Sequence, residues 1–138
     1  MIGNLSLNQL VGGYNQMKIT SFSPLIATSN GAELQKMFEE LGFVERHRKT
    51  SGVDPSIYTA VLEDGEGNVV NFSNVRQMPK DMTIVRMNVD NLEEACEIMK
   101  AHGFNPMEGT AGVTGSSQSV LMVSKSGFAV DVVKHIKD

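Results

Sequence analysis

Arg86 and Asp131 are the residues of this chain best placed by type and pattern to do chemistry. Arg86 lies inside "MTIVRMNV", whose alternation reads as a strand. A guanidinium on the inner face of a half-buried strand needs a carboxylate, a bound anion or water. Asp131, inside "FAVDVVKHI", is the obvious internal partner, and the two could form a structural ion pair. The functional alternative is that Arg86 holds a carboxylate or phosphate of a small molecule. Asn71, Asn88 and Tyr58 would then supply directional hydrogen bonds, with Ser23 beside them. Tyr58 and Phe22 could add an aromatic wall.

Other reactive side chains fit structural roles. His102 ends a helical pattern, where a cation near free carbonyls is an ordinary cap. His135 shares a strand face with Asp131, but four strand residues separate them by roughly 13 Å, so both cannot grip one ion unaided. His47, in "ERHRK", reads as part of a charged, solvated sheet edge. Cys96 sits among Glu93, Glu94 and Glu97, which discourage a thiolate. "GTAGVTGSS", residues 109–117, lacks the Lys-Ser/Thr ending and following helix of a phosphate cradle, and reads as a loop or lid over a cleft.

The elements that must position these residues come in two copies. "PLIATSNGAELQKMFEELGF", residues 24–43, and "VRMNVDNLEEACEIMKAHGF", residues 85–104, share a strand, a cap, an amphipathic helix and a terminating Gly-Phe. In the second copy Asp90 or Asn91 caps the helix, Glu93 and Glu94 occupy its first turn, and Gly103 closes it. Buried stripes are expected from Leu34, Met37, Phe38 and Leu41, and from Leu92, Ala95, Cys96 and Met99. Three strand-like stretches follow each helix, with turns at "DGEGN" and "SKSG". Phe72, Phe104 and Phe128 read as core.

Bulk properties narrow the class. At 138 residues one domain is expected. With 41% hydrophobic and 20% charged residues, the composition is that of a globular protein. A net charge of -4 argues against nucleic acid as a partner, and no apolar run is long enough to span a membrane. A single cysteine fits a reducing compartment, and a cytoplasmic protein is expected. Residues 1–16, ending in a Gly-Gly break and "YNQ", read as an N-terminal extension. The domain proper spans residues 17–138, in units 17–80 and 81–138.

Two tandem βαβββ units, the "LGF" and "HGF" helix endings and the "DGEGNVVNF" and "SKSGFAVDV" hairpins resemble the vicinal oxygen chelate superfamily, which includes glyoxalase I, bleomycin-resistance proteins and extradiol dioxygenases. The resemblance implies an α+β fold, two curved mixed sheets forming a cleft with helices outside, and a homodimer. Within that frame, alternation puts Ser23, Leu25, Ala27, Asn71, Ser73, Ile84, Arg86, Asn88, Asp131 and Val133 toward the cleft. Val85, Met87, Val89, Val130 and Val132 face the helices.

The resemblance also places the metal-ligand positions of its catalytic members on Ser23, Ile84, Asn71 and Asp131. Of these, Asp131 alone suits a divalent ion. "KITSFSPLIAT" and "MTIVRMNV" contain no His, Glu, Gln or Asp, so sliding the register restores nothing. The expectation is a small-molecule-binding protein with no metal and no cofactor. The alternative is a divalent-metal-dependent lyase or isomerase similar to glyoxalase I that uses atypical ligands such as Asp131 or His135.

Overall fold

In the computed structural model, residues 17–108, 112–113 and 117–136 are described. The segment 1–16 and most of the glycine-rich stretch 109–117 lie outside them. The first unit runs β1 (Ile19–Thr28), α1 (Gly31–Glu40), β2 (Val44–Thr50), β3 (Tyr58–Glu63) and β4 (Val69–Asn74). The second runs β5 (Met82–Val89), α2 (Leu92–Ala101), β6 (Asn105–Pro106), β7 (Gly112–Val113), β8 (Ser117–Val123) and β9 (Ala129–His135). The chain thus folds as the doubled βαβββ arrangement. Neither helix is long and apolar enough to cross a membrane.

Both units join one mixed sheet in the order β2-β3-β4-β1-β5-β9-β8-β6, with β7 also on β8. In each unit the first strand runs parallel to the last: Leu25 pairs with Asn71 in β1 and β4, and Arg86 with Asp131 in β5 and β9. The units meet at an antiparallel β1–β5 seam, where Ser23 pairs with Arg86 and Leu25 with Ile84. These reciprocal pairings make Leu25 and Arg86 equivalent, and likewise Asn71 and Asp131.

Each helix packs on its own half of the sheet over a separate core. Under α1, Ala60, Leu62, Val70 and Phe72 are buried, with Leu34, Phe38 and Phe43 against them. Under α2, Met87, Val89, Ala95, Met122, Val130 and Val132 are buried, and Leu92, Cys96 and Met99 complete the helix stripe. The stripe expected for α1 holds at Leu34 and Phe38 but not at Met37 and Leu41, which are exposed because this shorter apolar face meets the sheet on two positions only. Phe128 is also largely exposed, touching the core edge through Phe104 at a 6.0 Å ring separation.

Both helices end alike. Gly42 (φ 106°) and Gly103 (φ 90°) take the left-handed conformation, and the next N–H, of Phe43 or Phe104, donates to the carbonyl of Phe38 or Met99. This closing turn satisfies otherwise free helix carbonyls and turns an aromatic ring back onto the core. The helix starts differ. Asn91 caps α2 locally, its side chain accepting from Glu94 N–H at 3.0 Å, while Asp90 accepts from Lys18 N–H. Asn30 makes no such bond. Instead Asn74, from β4, accepts from Gly31 N–H at 2.7 Å and donates to the Ser56 carbonyl at 2.7 Å.

Within the stretch "FNPMEGT", residues 109–110 lie outside the described residues, Met107 N–H donates to the Leu121 carbonyl at 2.8 Å, and Asn105–Pro106 form a strand on β8. Its counterpart β2 is seven residues long and carries a register shift between Glu45 and His47.

Candidate functional site

The sheet curls so far that β2, at one edge, and β8, near the other, line one cavity of about 510 Å³. A smaller lobe of about 340 Å³ adjoins it, sharing Lys49, Thr59, Arg86 and Ser117. Alternation along the strands decides which side chains enter. Odd positions of β3, Thr59 and Val61, face the cavity, and even positions, Ala60 and Leu62, fill the core under α1.

Ser23, Asn71, Arg86 and Asn88 line the larger cavity, and Asp131 lines the smaller lobe with Ser73, Ser119 and Val133. Val85, Met87, Val89, Val130 and Val132 pack on the helix side. Tyr58 is different. It reaches the rim of the smaller lobe, but its ring packs on the cluster under α1, with the Arg48 guanidinium 4.0 Å above it and its hydroxyl beside Gly31. Being an even position of β3, it is turned away from the role of a directional donor in the cavity. Phe22 is exposed at the mouth, on the same strand alternation as the helix-side Ile26.

The polar side chains are held unequally. Asn71, 3% exposed, donates through Nδ2 to Ser23 Oγ at 2.5 Å and to the Pro24 carbonyl at 3.0 Å. These bonds tie β4 to β1 and fix Asn71 in place. Among the described residues Arg86 makes a single side-chain hydrogen bond, Nε donating to Asn88 Oδ1 at 3.4 Å. Asn88 Nδ2 lies 3.4 Å from His135 Nε2. Among the described residues Arg86 has no ion pair, so the Arg86–Asp131 salt bridge weighed from the sequence does not form, although their backbones are paired. Burial raises the Asp131 carboxyl above the usual carboxylate range, with Arg86 pulling the other way.

Arg46, His47 and Lys49 also line the cavity. Sequence reasoning read the "ERHRK" run as a solvated edge, and β2 is indeed the edge strand. The bulge at Glu45/His47 brings both Arg46 and His47 to the cavity, against strict alternation. Arg46 meets Glu63 at 3.7 Å. His135 stands at the cavity rim beside Asn88 rather than with Asp131. Cys96 packs under α2, where burial raises its thiol, as expected of an inert side chain.

The residues at the four family ligand positions do not fit a divalent metal. They offer a hydroxyl, an alkyl chain, an amide already engaged with Ser23 and Pro24, and one carboxylate. Among the described residues, no three His, Cys, Asp or Glu side chains converge.

No family model and no curated protein matches the sequence. The structure does have counterparts. It superposes on a methylmalonyl-CoA epimerase from Mycobacterium tuberculosis with TM-score 0.64 and 15% identity, over 86% of this chain and 90% of that one. A glyoxalase/bleomycin resistance protein/dioxygenase superfamily member from Vibrio splendidus 12B01 gives 0.57 and 11%, over 86% and 100%. Glyoxalase I from Zea mays gives 0.63 and 15%, over 93% of this chain and 47% of that one. With its doubled βαβββ order and central β1–β5 seam, the chain has the vicinal oxygen chelate fold.

Proposed function

We propose that the cleft binds a small anionic molecule, through Arg86, without a conventional metal centre. The observation that carries this reading is the Arg86 guanidinium, which faces the cavity and, among the described residues, has no ion pair and no hydrogen bond from its terminal nitrogens. A planar fork of this kind suits a carboxylate or phosphate held by two parallel hydrogen bonds. Basic residues, Arg46, Lys49 and Arg86, outnumber the acidic Glu63 and Asp131 in the cleft, whereas the whole chain is net acidic at -4. Asn88, His135 and Ser23 supply further polar contacts, and Val61 and Val69 an apolar floor.

Calorimetric titration of the protein and of Arg86→Ala with small carboxylates and phosphates tests the reading. Binding that weakens at least about tenfold in the variant is expected. Equal binding by both proteins would sink it. The second reading, a metal-dependent lyase or isomerase, is favoured by the fold shared with glyoxalase I and the epimerase. Its discriminating result is stoichiometric binding of Zn²⁺, Ni²⁺, Mn²⁺ or Fe²⁺ that disappears in Asp131→Ala. The resemblance further supports pairing of two copies, for which sedimentation gives a direct answer.

A further inference from the structure

Arg86 and Asp131 sit on neighbouring parallel strands in direct register, about 4.8 Å apart in backbone spacing, yet their charges do not meet. The reason is directional. Nε of Arg86 bonds Asn88, two residues on along the same face, which draws the guanidinium toward the lobe that contains Asn88 and His135. Asp131 opens into the other lobe, with Ser73, Ser119 and Val133. Among the described residues it has no hydrogen-bond or ion-pair partner. One continuous cleft therefore presents a cation and an anion side by side, each lacking an ionic partner of its own.

An anion alone would satisfy Arg86 and raise the cost of an ionised Asp131 nearby. A ligand that also carries a positive group would meet both. We propose that the cleft recognises a zwitterion, its carboxylate on Arg86 and its ammonium on Asp131. This rests on the anion-binding reading of Arg86 and adds the chemical class of the ligand. Both charges hang from adjacent strands and open into one cleft, so a compact molecule that carries both groups, a small amino acid or an ω-amino acid, is the class to test.

The test compares molecules of matched shape. L-leucine carries both charges, 4-methylpentanoate only the negative one and 3-methylbutylamine only the positive one. 4-Aminobutyrate and butyrate repeat the comparison at a longer charge separation. Affinities are measured by NMR titration of the folded protein, of Asp131→Asn and of Arg86→Gln, with circular dichroism confirming that each variant is folded.

At least one zwitterion should bind about tenfold or more tightly than its singly charged analogues. Asp131→Asn should remove that preference and leave carboxylate binding in place, while Arg86→Gln weakens both. Carboxylates that bind the unmodified protein as tightly as zwitterions, with loss in Arg86→Gln, would overturn the zwitterion proposal and keep the anion site. Binding indifferent to Arg86→Gln, or no binding by any probe at tens of millimolar (roughly the weakest range such contacts reach), would overturn both.

Discussion

The two halves of this molecule share a backbone plan and differ in what they do with equivalent positions. In the first, the pair at the heart of the sheet is Leu25 and Asn71; in the second it is Arg86 and Asp131. Asn71 spends its amide on Ser23 and Pro24, which locks two strands together. The side chains of the charged pair form no salt bridge across the same backbone geometry. At this position the first half is closed by hydrogen bonds, and the second leaves its charged side chains facing the cleft. Duplicated architecture here supplies two frames, one whose central polar side chain is tied down and one whose central charged pair faces the cleft. The helix starts repeat the contrast, since α1 depends on Asn74 from 43 residues away and α2 on its own Asn91.

The largest expected effect concerns the cores. Phe72, fully buried with its ring 5.6 Å from that of Phe38, corresponds to the fully buried Val132. Phe72→Ala should cost about 3–5 kcal/mol in urea unfolding. Val132→Ala removes fewer atoms and should cost less. Equal losses would mean that the halves do not keep separate cores.

Next come the caps. Asn74→Ala strands both the Gly31 N–H and the Ser56 carbonyl, and should cost about 2 kcal/mol, against about 1 kcal/mol for Asn91→Ala. The reverse order, read from denaturant midpoints, would break the contrast between tertiary and local capping.

The smallest effect is a pH dependence. Asp131 holds its proton more tightly in the folded chain, because of burial, with Arg86 opposing. Arg86 from β5 and Lys49 from β2 are the charged groups that line its lobe. As pH rises past the unfolded carboxylate range, near 4, the unfolded chain releases this proton first, so the native state loses stability until the folded pKa is passed. Asp131→Asn should therefore melt at a higher temperature than the parent near pH 8, and the difference should vanish below about pH 4. No difference at pH 8 would mean that solvent or Arg86 already offsets the burial.

Much of this was legible in the sequence because it is local. The Gly-Phe helix endings, the α2 stripe and the faces of β5 and β9 all follow from spacing within one element. The features that escaped it depend on distant parts. Nothing near Gly31 announces that its N–H will be met by Asn74, and the exposure of Met37 and Leu41 depends on where α1 lies on the sheet. The charges of β2 were visible, but their entry into the cavity required both a bulge and the curl that brings this edge over the seam. Tyr58 both lines the smaller lobe and packs on the core, because one step along a strand exchanges the cleft for the core and this residue stands where the two meet.

The β1–β5 seam has a consequence for how the chain is made. Its partners, such as Ser23 and Arg86, are 63 positions apart, whereas the first unit's own pairings close within residues 19–74. During synthesis the first half can therefore complete its sheet while β1 still shows a bare edge. Until Met82–Val89 leaves the ribosome, that edge is a template for any strand of matching sequence, and the nearest supply is a neighbouring nascent copy. Covering that edge within the same chain therefore waits on the arrival of β5.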